Sequence, residues 1–332
     1  MKRRKKPFII LAVILVVVLL VAGYIKFFNG RLIYFTTGMK SGELIKTAGQ
    51  KTTYTCEADI LMSDVKKEYE EMFGSNIWRE KIGDADFESY IKDQIKSKLM
   101  RVKAMNVKAK ERGVVLGREE KDSVGKAVDA FYNELTESQI SSTGITKDKL
   151  NTMFTEFAIA QKLYDDLTSS MDIEVSADEA RVIDIQYIVS DSEEDINKAY
   201  NLVNSGSSFF AVAKEYNADG EYEYELKRGE MDAAFEKAAF NLSTGEMSSI
   251  VEAAGRYYII RCTSDNDKAK TEVNKSVILE KRKLEQFNAD FEKYEAGIYM
   301  EFNNSEWKKI SIQDVYTLGS SFEDTFNAYF GK

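Results

Sequence analysis

Few side chains in this 332-residue sequence can make or break a covalent bond. It contains no histidine and two cysteines, Cys56 and Cys262. Without histidine there is no Ser-His-Asp or Cys-His nucleophilic system, and no Cys/His cluster of the kind that holds zinc, so no metal and no cofactor is expected. The glycines are scattered, and none opens a strand-to-helix turn in the phosphate-cradling pattern. The two cysteines, far apart in the chain, read first as buried thiols, with an extracytoplasmic disulfide as the alternative. What remains are groups that act through shape and polarity. Met231 and Phe235, inside "GEMDAAFEKAAFNL", stand four residues apart, a spacing that stacks two apolar side chains on one side of a helix start. Taken alone, such a pair is ordinary core. Just before it, Glu221, Glu223 and Glu225 alternate in "GEYEYELKRGEM". They form either a solvated loop or an acidic rim that favours a basic residue beside the group being bound.

The elements that must position these groups follow from periodicity. Residues 31–63 read as short strands and turns, with "TYTCEADILMS" alternating in part. From Asp64, a plausible cap, Val65, Tyr69 and Met72 follow one helical stripe. A longer amphipathic helix places Phe87, Ile91, Ile95, Leu99, Val102 and Met105 on one face and stops at Gly113. Two more helices, "GREEKDSVGKAVDAFYNELT" and "TKDKLNTMFTEFAIAQKLYDDLTSSM", are separated by the turn "SSTG". "RVIDIQYIVSD" then reads as a strand, with Ile183, Ile185, Tyr187 and Val189 on one side and Val182, Asp184, Gln186 and Ile188 on the other. Short helices follow, and "SSIVEAAGRYYIIRC" predicts a hairpin around an Ala-Gly-Arg turn. A strand, helices and a hairpin in so short a span make a compact α+β domain. In the long helix after it, Val277, Leu284, Phe287, Phe291 and Tyr294 form a stripe expected to dock on the helical domain. "IYMEFNNSEWKKISI" resumes strand character suited to pairing with residues 31–63.

At the N-terminus, "MKRRKK" sets five basic residues before an apolar run from Phe8 to Gly23. Residues 8–28 reach the roughly 20 helical residues that a bilayer core demands. The basic cluster then stays cytoplasmic and everything after residue 30 lies outside, a single-pass cell-membrane protein with its C-terminal part extracytoplasmic. A cleaved signal peptide is the alternative, since Val21, Ala22 and Gly23 end the run in small residues. No cysteine follows the run, which speaks against a lipid-anchored lipoprotein. Setting aside Lys2, Arg3, Arg4, Lys5, Lys6 and Lys26 leaves 40 basic against 55 acidic residues, a balance of −15. That is a poor surface for nucleic acid, whose phosphates demand a positive face.

Residues 181–264 resemble a parvulin-type peptidyl-prolyl isomerase domain. The landmarks are "RVIDIQYIVSD", "FFAVAKEYNAD", "GEMDAAFEKAAFNLSTGEMSSIV" and "GRYYIIRC", in the family's order and spacing. The layout of membrane segment, helical domain, parvulin domain and long C-terminal helix is similar to the extracytoplasmic PrsA/SurA-type foldases. The resemblance implies an α+β fold in which a mainly helical chaperone-like domain, completed by the C-terminal helix, carries a small inserted parvulin-like domain. The implied divisions are 1–30, a cytoplasmic tail and transmembrane anchor; 31–178, strands plus the helical domain; 179–265, the isomerase-like domain; and 266–332, a helix and strand packing back on the helical domain.

The resemblance also assigns roles. Met231 and Phe235 fall at the family's proline-pocket positions. Where the family has a pair of neighbouring histidines on its first and last strands, this chain has Gln186 and Tyr258, which can still share a hydrogen bond. Asp219 falls where many members carry an acidic or thiol residue facing the amide; it is equally a turn residue at a helix end. The family's glycine-rich stretch is replaced by a shorter acidic one, in which Leu226 partly restores the third apolar wall. Rotating a proline peptide bond breaks no bond and needs no nucleophile, only a dry apolar grip that favours the twisted amide. The expected activity is therefore peptidyl-prolyl isomerisation on unfolded or partly folded secreted polypeptides. The alternative is an ATP-independent holding chaperone with a catalytically reduced parvulin domain.

Overall fold

The computed structural model describes residues 38–218 and 220–331. The anchor expected at residues 8–28 lies outside them, and among the described residues no helix is long and apolar enough to cross a membrane. Two compact units are present: one made of residues up to Leu167 together with those from Phe291 onward, the other Thr168–Asp290. The chain is helix-rich α+β, and the second unit interrupts the first.

The first unit begins with β1 (Glu43–Thr47), β2 (Thr53–Tyr54) and α1 (Thr55–Phe73). A single 3-10 turn and a two-strand hairpin, β3 (Lys81–Ile82) and β4 (Ala85–Asp86), lead to α2 (Phe87–Arg112), α3 (Arg118–Asn133), α4 (Glu137–Thr143) and α5 (Lys147–Thr168). Helix α2 follows its sequence pattern. Asp86 caps it by accepting from the Ser89 amide at 2.7 Å. Phe87, Ile91, Ile95, Leu99 and Met105 are buried along it, and Gly113 ends it in the left-handed conformation.

Helix α1 corrects the expectation for residues 55–63, read as extended and found helical. Cys56, Ala58, Ile60, Leu61 and Met62 are all buried. A helix enclosed on nearly every side shows no stripe, so its apolar residues cannot be told from an alternating strand. Its start is held by Glu57, whose carboxyl oxygen accepts from the Tyr54 amide at 2.8 Å. Asp64 does not begin a helix. It caps one 258 residues later, accepting from the Phe322 amide at 3.2 Å and from Glu323 at 3.0 Å. Met72, placed on the buried stripe from sequence, is exposed. Ser141, Ser142 and Thr143 of the expected turn are the last residues of α4, which Gly144 terminates.

The second unit contains α6 (Ala177–Ala180), β5 (Ile183–Ser190), α7 (Glu193–Asn204), α8 (Phe209–Tyr216), β6 (Glu223–Leu226), α9 (Ala233–Phe240), β7 (Val251–Ala253), β8 (Arg256–Ser264) and most of α10 (Lys268–Glu295). Its four strands form an antiparallel sheet in the order β6-β5-β8-β7. Both faces are covered. Ile183, Ile185, Leu226 and Ile260 pack with Phe235, Ala239 and Phe240 of α9. Ile188 and Ile259 pack with Ile196, Phe209 and Val212 of α7 and α8. Along α10 the expected docking stripe breaks up: Phe287 and Phe291 are buried, whereas Val277 and Leu284 are exposed.

The β7–β8 hairpin turns on Ala254 and Gly255, both at positive φ (49° and 75°), as a two-residue turn matched to strand twist requires. Ala254 carries a Cβ in a region where it crowds the following carbonyl. Ala254→Gly is expected to stabilise the second unit by about 1 kcal/mol, read as a higher urea midpoint from the NMR signals of Ile259 and Ile260. A lower midpoint would mean that the methyl makes a contact outweighing the strain.

The chain then returns to the first unit through β9 (Met300–Phe302), α11 (Asn304–Trp307) and α12 (Phe322–Phe330). β9 pairs antiparallel with β1, Ile45 opposite Phe302, to give a three-stranded sheet β2-β1-β9. Cys56 and Cys262 lie in different units as free, buried thiols. Burial pushes the Cys56 thiol up to about 12, so it is neutral and inert at ordinary pH.

Candidate functional site

Alternation along β8 puts Arg256, Tyr258 and Ile260 on the sheet face that α9 covers. Helix α9 starts because Asp232 caps it, accepting from the Ala234 amide at 2.8 Å. Its third residue, Phe235, is 2% exposed, and its ring meets Tyr258 edge-to-face at 5.0 Å and 80°. Leu226, fully buried, belongs to the same apolar cluster. Met231 precedes the helix rather than stacking on it, and is 39% exposed. The loop that carries it is tied down by Glu236, whose carboxylate accepts from the Gly229 amide at 2.7 Å and from the Met231 amide at 3.0 Å. Arg228 anchors the loop's other end, bridging to Asp178 at 2.8 Å and lying 4.2 Å over the Phe240 ring. The site thus has a rigid aromatic floor, Phe235 against Tyr258, and one accessible apolar side chain on a braced loop.

The polar half differs from the expected pair. Gln186 stands opposite Arg261 while Tyr258 stands opposite Val189, so the two are three register positions apart. They also point to opposite faces, because Gln186 alternates with Ile183 and Ile185 whereas Tyr258 packs with them. The Gln186 amide donates to Glu223 at 3.0 Å. What Tyr258 has beside it is Arg256, on the same face two residues earlier. Its guanidinium bonds Asp191 at 2.6 Å. Asp191, with the Tyr258 hydroxyl as a lesser partner, holds Arg256 above its ordinary range, so it stays cationic. Arg256 and Asp191 were missed from sequence, although the two-residue period of "GRYYII" already sets Arg256 on the face of Tyr258.

Asp219 lies outside the described residues. Two residues earlier, Asn217 is buried and staples the turn to β5: its side chain accepts from the Val189 amide at 2.9 Å and donates to the Tyr187 carbonyl at 3.1 Å. In the acidic run, Glu225 pairs with Lys270 at 3.0 Å and Lys227 at 3.5 Å, and Lys270 foremost holds its carboxyl below the usual range.

Residues 189–264 match the rotamase family, the PPIC-type PPIase domain. The chain carries a parvulin-type rotamase domain. Foldase protein PrsA of Caldanaerobacter subterraneus subsp. tengcongensis is 25% identical over 240 residues, covering 67% of this chain and 73% of that protein. Foldase protein PrsA of Bacillus subtilis is 38% identical over 89 residues, 24% of this chain and 30% of that one. A crystal structure of PrsA from Bacillus cereus aligns over 87% of this chain and 99% of its own, at 19% identity and a TM-score of 0.38. Within the rotamase domain the matched span takes in Leu226, Met231, Phe235, Arg256 and Tyr258; Gln186 precedes it.

Proposed function

We propose that this chain is an extracytoplasmic foldase, held at the cell membrane by residues 8–28, whose rotamase domain isomerises proline peptide bonds in unfolded or partly folded secreted polypeptides. The observation that carries this reading is the rotamase match over the strand and helix that bring Phe235 against Tyr258. Uncatalysed X-Pro isomerisation takes tens to hundreds of seconds, and the twisted amide needs an apolar seat more than it needs an acid or base. Met231, with the buried Phe235 and the half-buried Tyr258, offers that seat. The Tyr258 hydroxyl beside the cationic Arg256 is a donor for the proline nitrogen, which regains its lone pair only as the amide twists, so the bond favours the twisted form over either planar one. Gln186, turned to Glu223, takes no part in this version of the site, and Asp219 is left as a candidate from the family pattern.

The test is X-Pro exchange by NMR with the full chain and a proline peptide panel. Exchange faster than background is expected, and Tyr258→Phe, which keeps the ring and removes the donor, is expected to slow it about tenfold or more without loss of fold. Background exchange from a folded chain would overturn the enzyme reading. The holding-chaperone reading would then stand, favoured by one feature: Gln186, at the position of the family's first-strand histidine, lies on the opposite face of the sheet from Tyr258.

A further inference from the structure

β6 is one of the two edge strands of the rotamase sheet. The Tyr187 amide donates to the Tyr222 carbonyl, which sets the phase of the ladder. In that phase Tyr224 and Leu226 bond inward to β5, and Glu223 and Glu225 turn their amides and carbonyls off the edge. Beside this edge runs a groove of about 320 Å³ lined by Glu225, Lys227, Ala269, Lys270, Val273 and Val277. Val273 and Val277 are 66% and 60% exposed and one helical turn apart on α10. An open ladder edge next to an apolar wall is the arrangement that accepts an added strand.

Charge decides which strand. Two copies of β6 paired with each other would set the row of glutamates against its own kind, which is destabilising across a ladder. Around the groove, Asp184, Glu225 and Asp267 share Lys270, Glu225 also pairs with Lys227, and Glu223 accepts from the Gln186 amide, so four carboxylates stand beside two lysines. A segment with lysine or arginine at alternate positions meets this excess. Its basic residues lay their stems on Val273 and Val277 and bring their charges to Glu223 and Glu225. The residues between them point to the other face, where they extend the apolar row of Tyr224 and Leu226.

We propose that the outer edge of β6 and the Val273–Val277 face of α10 form a docking groove for an extended polypeptide segment alternating apolar and basic side chains. The groove holds a client chain by its backbone while a proline elsewhere in it is turned. The source of the segment rests on the foldase reading; the groove does not depend on isomerisation.

The experiment is amide hydrogen exchange on the full chain with three synthetic peptides: alternating valine and lysine, alternating valine and glutamate, and glycine-serine. The valine-lysine peptide is expected to slow exchange at Glu223 and Glu225 about tenfold or more, and the other two are not. Val277→Ser, which removes the apolar wall without adding a charge, is expected to weaken its binding about tenfold, and Glu223→Lys to transfer the preference to the valine-glutamate peptide. Protection confined to the loop of Met231 and the strand of Tyr258 would overturn the proposal, as would none at all. Protection at β6 that needs no peptide and grows with protein concentration would do so in favour of a second copy. X-Pro exchange run on the same samples separates the readings: background isomerisation with β6 still protected sinks the isomerase alone.

Discussion

Alanine at Phe235 is expected to cost the rotamase domain about 3–5 kcal/mol, the range for deleting a buried aromatic ring and leaving its cavity. Phe235 is packed among Ile183, Ile185, Leu226 and Ile260 with its ring against Tyr258, so nothing nearby is free to collapse into the space. Met231→Ala should behave in the opposite way. Met231 is half-exposed, and its loop is held through its backbone by Glu236, so its side chain contributes little to the fold. A stability change within about 0.5 kcal/mol is expected, together with a large loss of X-Pro exchange. The two variants separate floor from grip, through the urea midpoint of the rotamase signals and the exchange rate on the same samples. Met231→Ala with full activity would remove Met231 from the site, leaving Phe235 as a core residue and no accessible apolar seat.

The second large effect is expected at the centre of the first unit. Lys103, 1% exposed, reaches from α2 to Glu156 of α5 at 2.5 Å and donates to the Lys51 carbonyl at 2.8 Å. Glu57 is buried close by, and one buried cation cannot neutralise two carboxylates. Burial raises both acids, with Lys103 opposing; for Glu57 the result is about 8. Glu57 therefore keeps its proton at neutral pH while Glu156 is the ion that Lys103 pairs. Lys103→Met leaves Glu156 buried without a partner and is expected to cost about 3–5 kcal/mol. Glu57 adds a pH dependence. Unfolding lets its pKa fall from about 8 to the ordinary 4.5. Between those values the folded form binds more protons than the unfolded one, so stability falls as pH rises through the window and is level above it. Glu57→Gln, which keeps an oxygen for the Tyr54 amide, should flatten that slope and raise stability at pH 8. Both tryptophans, Trp78 and Trp307, belong to the core of this unit, so their fluorescence reads the urea midpoint directly. A wild type and Glu57→Gln pair with the same slope from pH 5 to 8 would show that Glu57 ionises in place.

Elements with one buried face and a local stop signal were legible in the residues. Phe87 to Met105 carries a full stripe and Gly113 its end, and the Ala-Gly turn needs only its own two residues. Three features were not legible, each for a different reason. Residues 55–63 are buried on nearly all sides, which erases the period that names a helix. Asp64 caps α12, a partnership that depends on the folded arrangement and leaves no local trace. Gln186 and Tyr258 could be given faces but not register: alternation says which way a side chain points along its own strand, and only the pairing of β5 with β8 says what it meets. For the aromatic floor, the motif marks Phe235 and the period of β8 sets the face of Tyr258, and it is the packing of α9 on that face that brings the two rings together. Val277 and Leu284 fitted a docking stripe by period, yet they are exposed, since period marks a face and not what covers it.

The β1–β9 pairing sets an order of events for a chain made from its N-terminus. One partner of strand β1, β9, lies 257 residues further along by the Ile45–Phe302 register, and Asp64 waits as long for the helix end it caps. The rotamase domain lies wholly between them, and all its sheet partners fall within that interval. It can therefore close while the first unit is still an open collection of helices, with Phe154 lacking Phe322 against its ring until the last residues arrive. A truncation just before β9 should leave a folded domain tethered to a half-built one that exposes its core. During synthesis the molecule passes through a stage in which it resembles the unfinished chains it is proposed to serve.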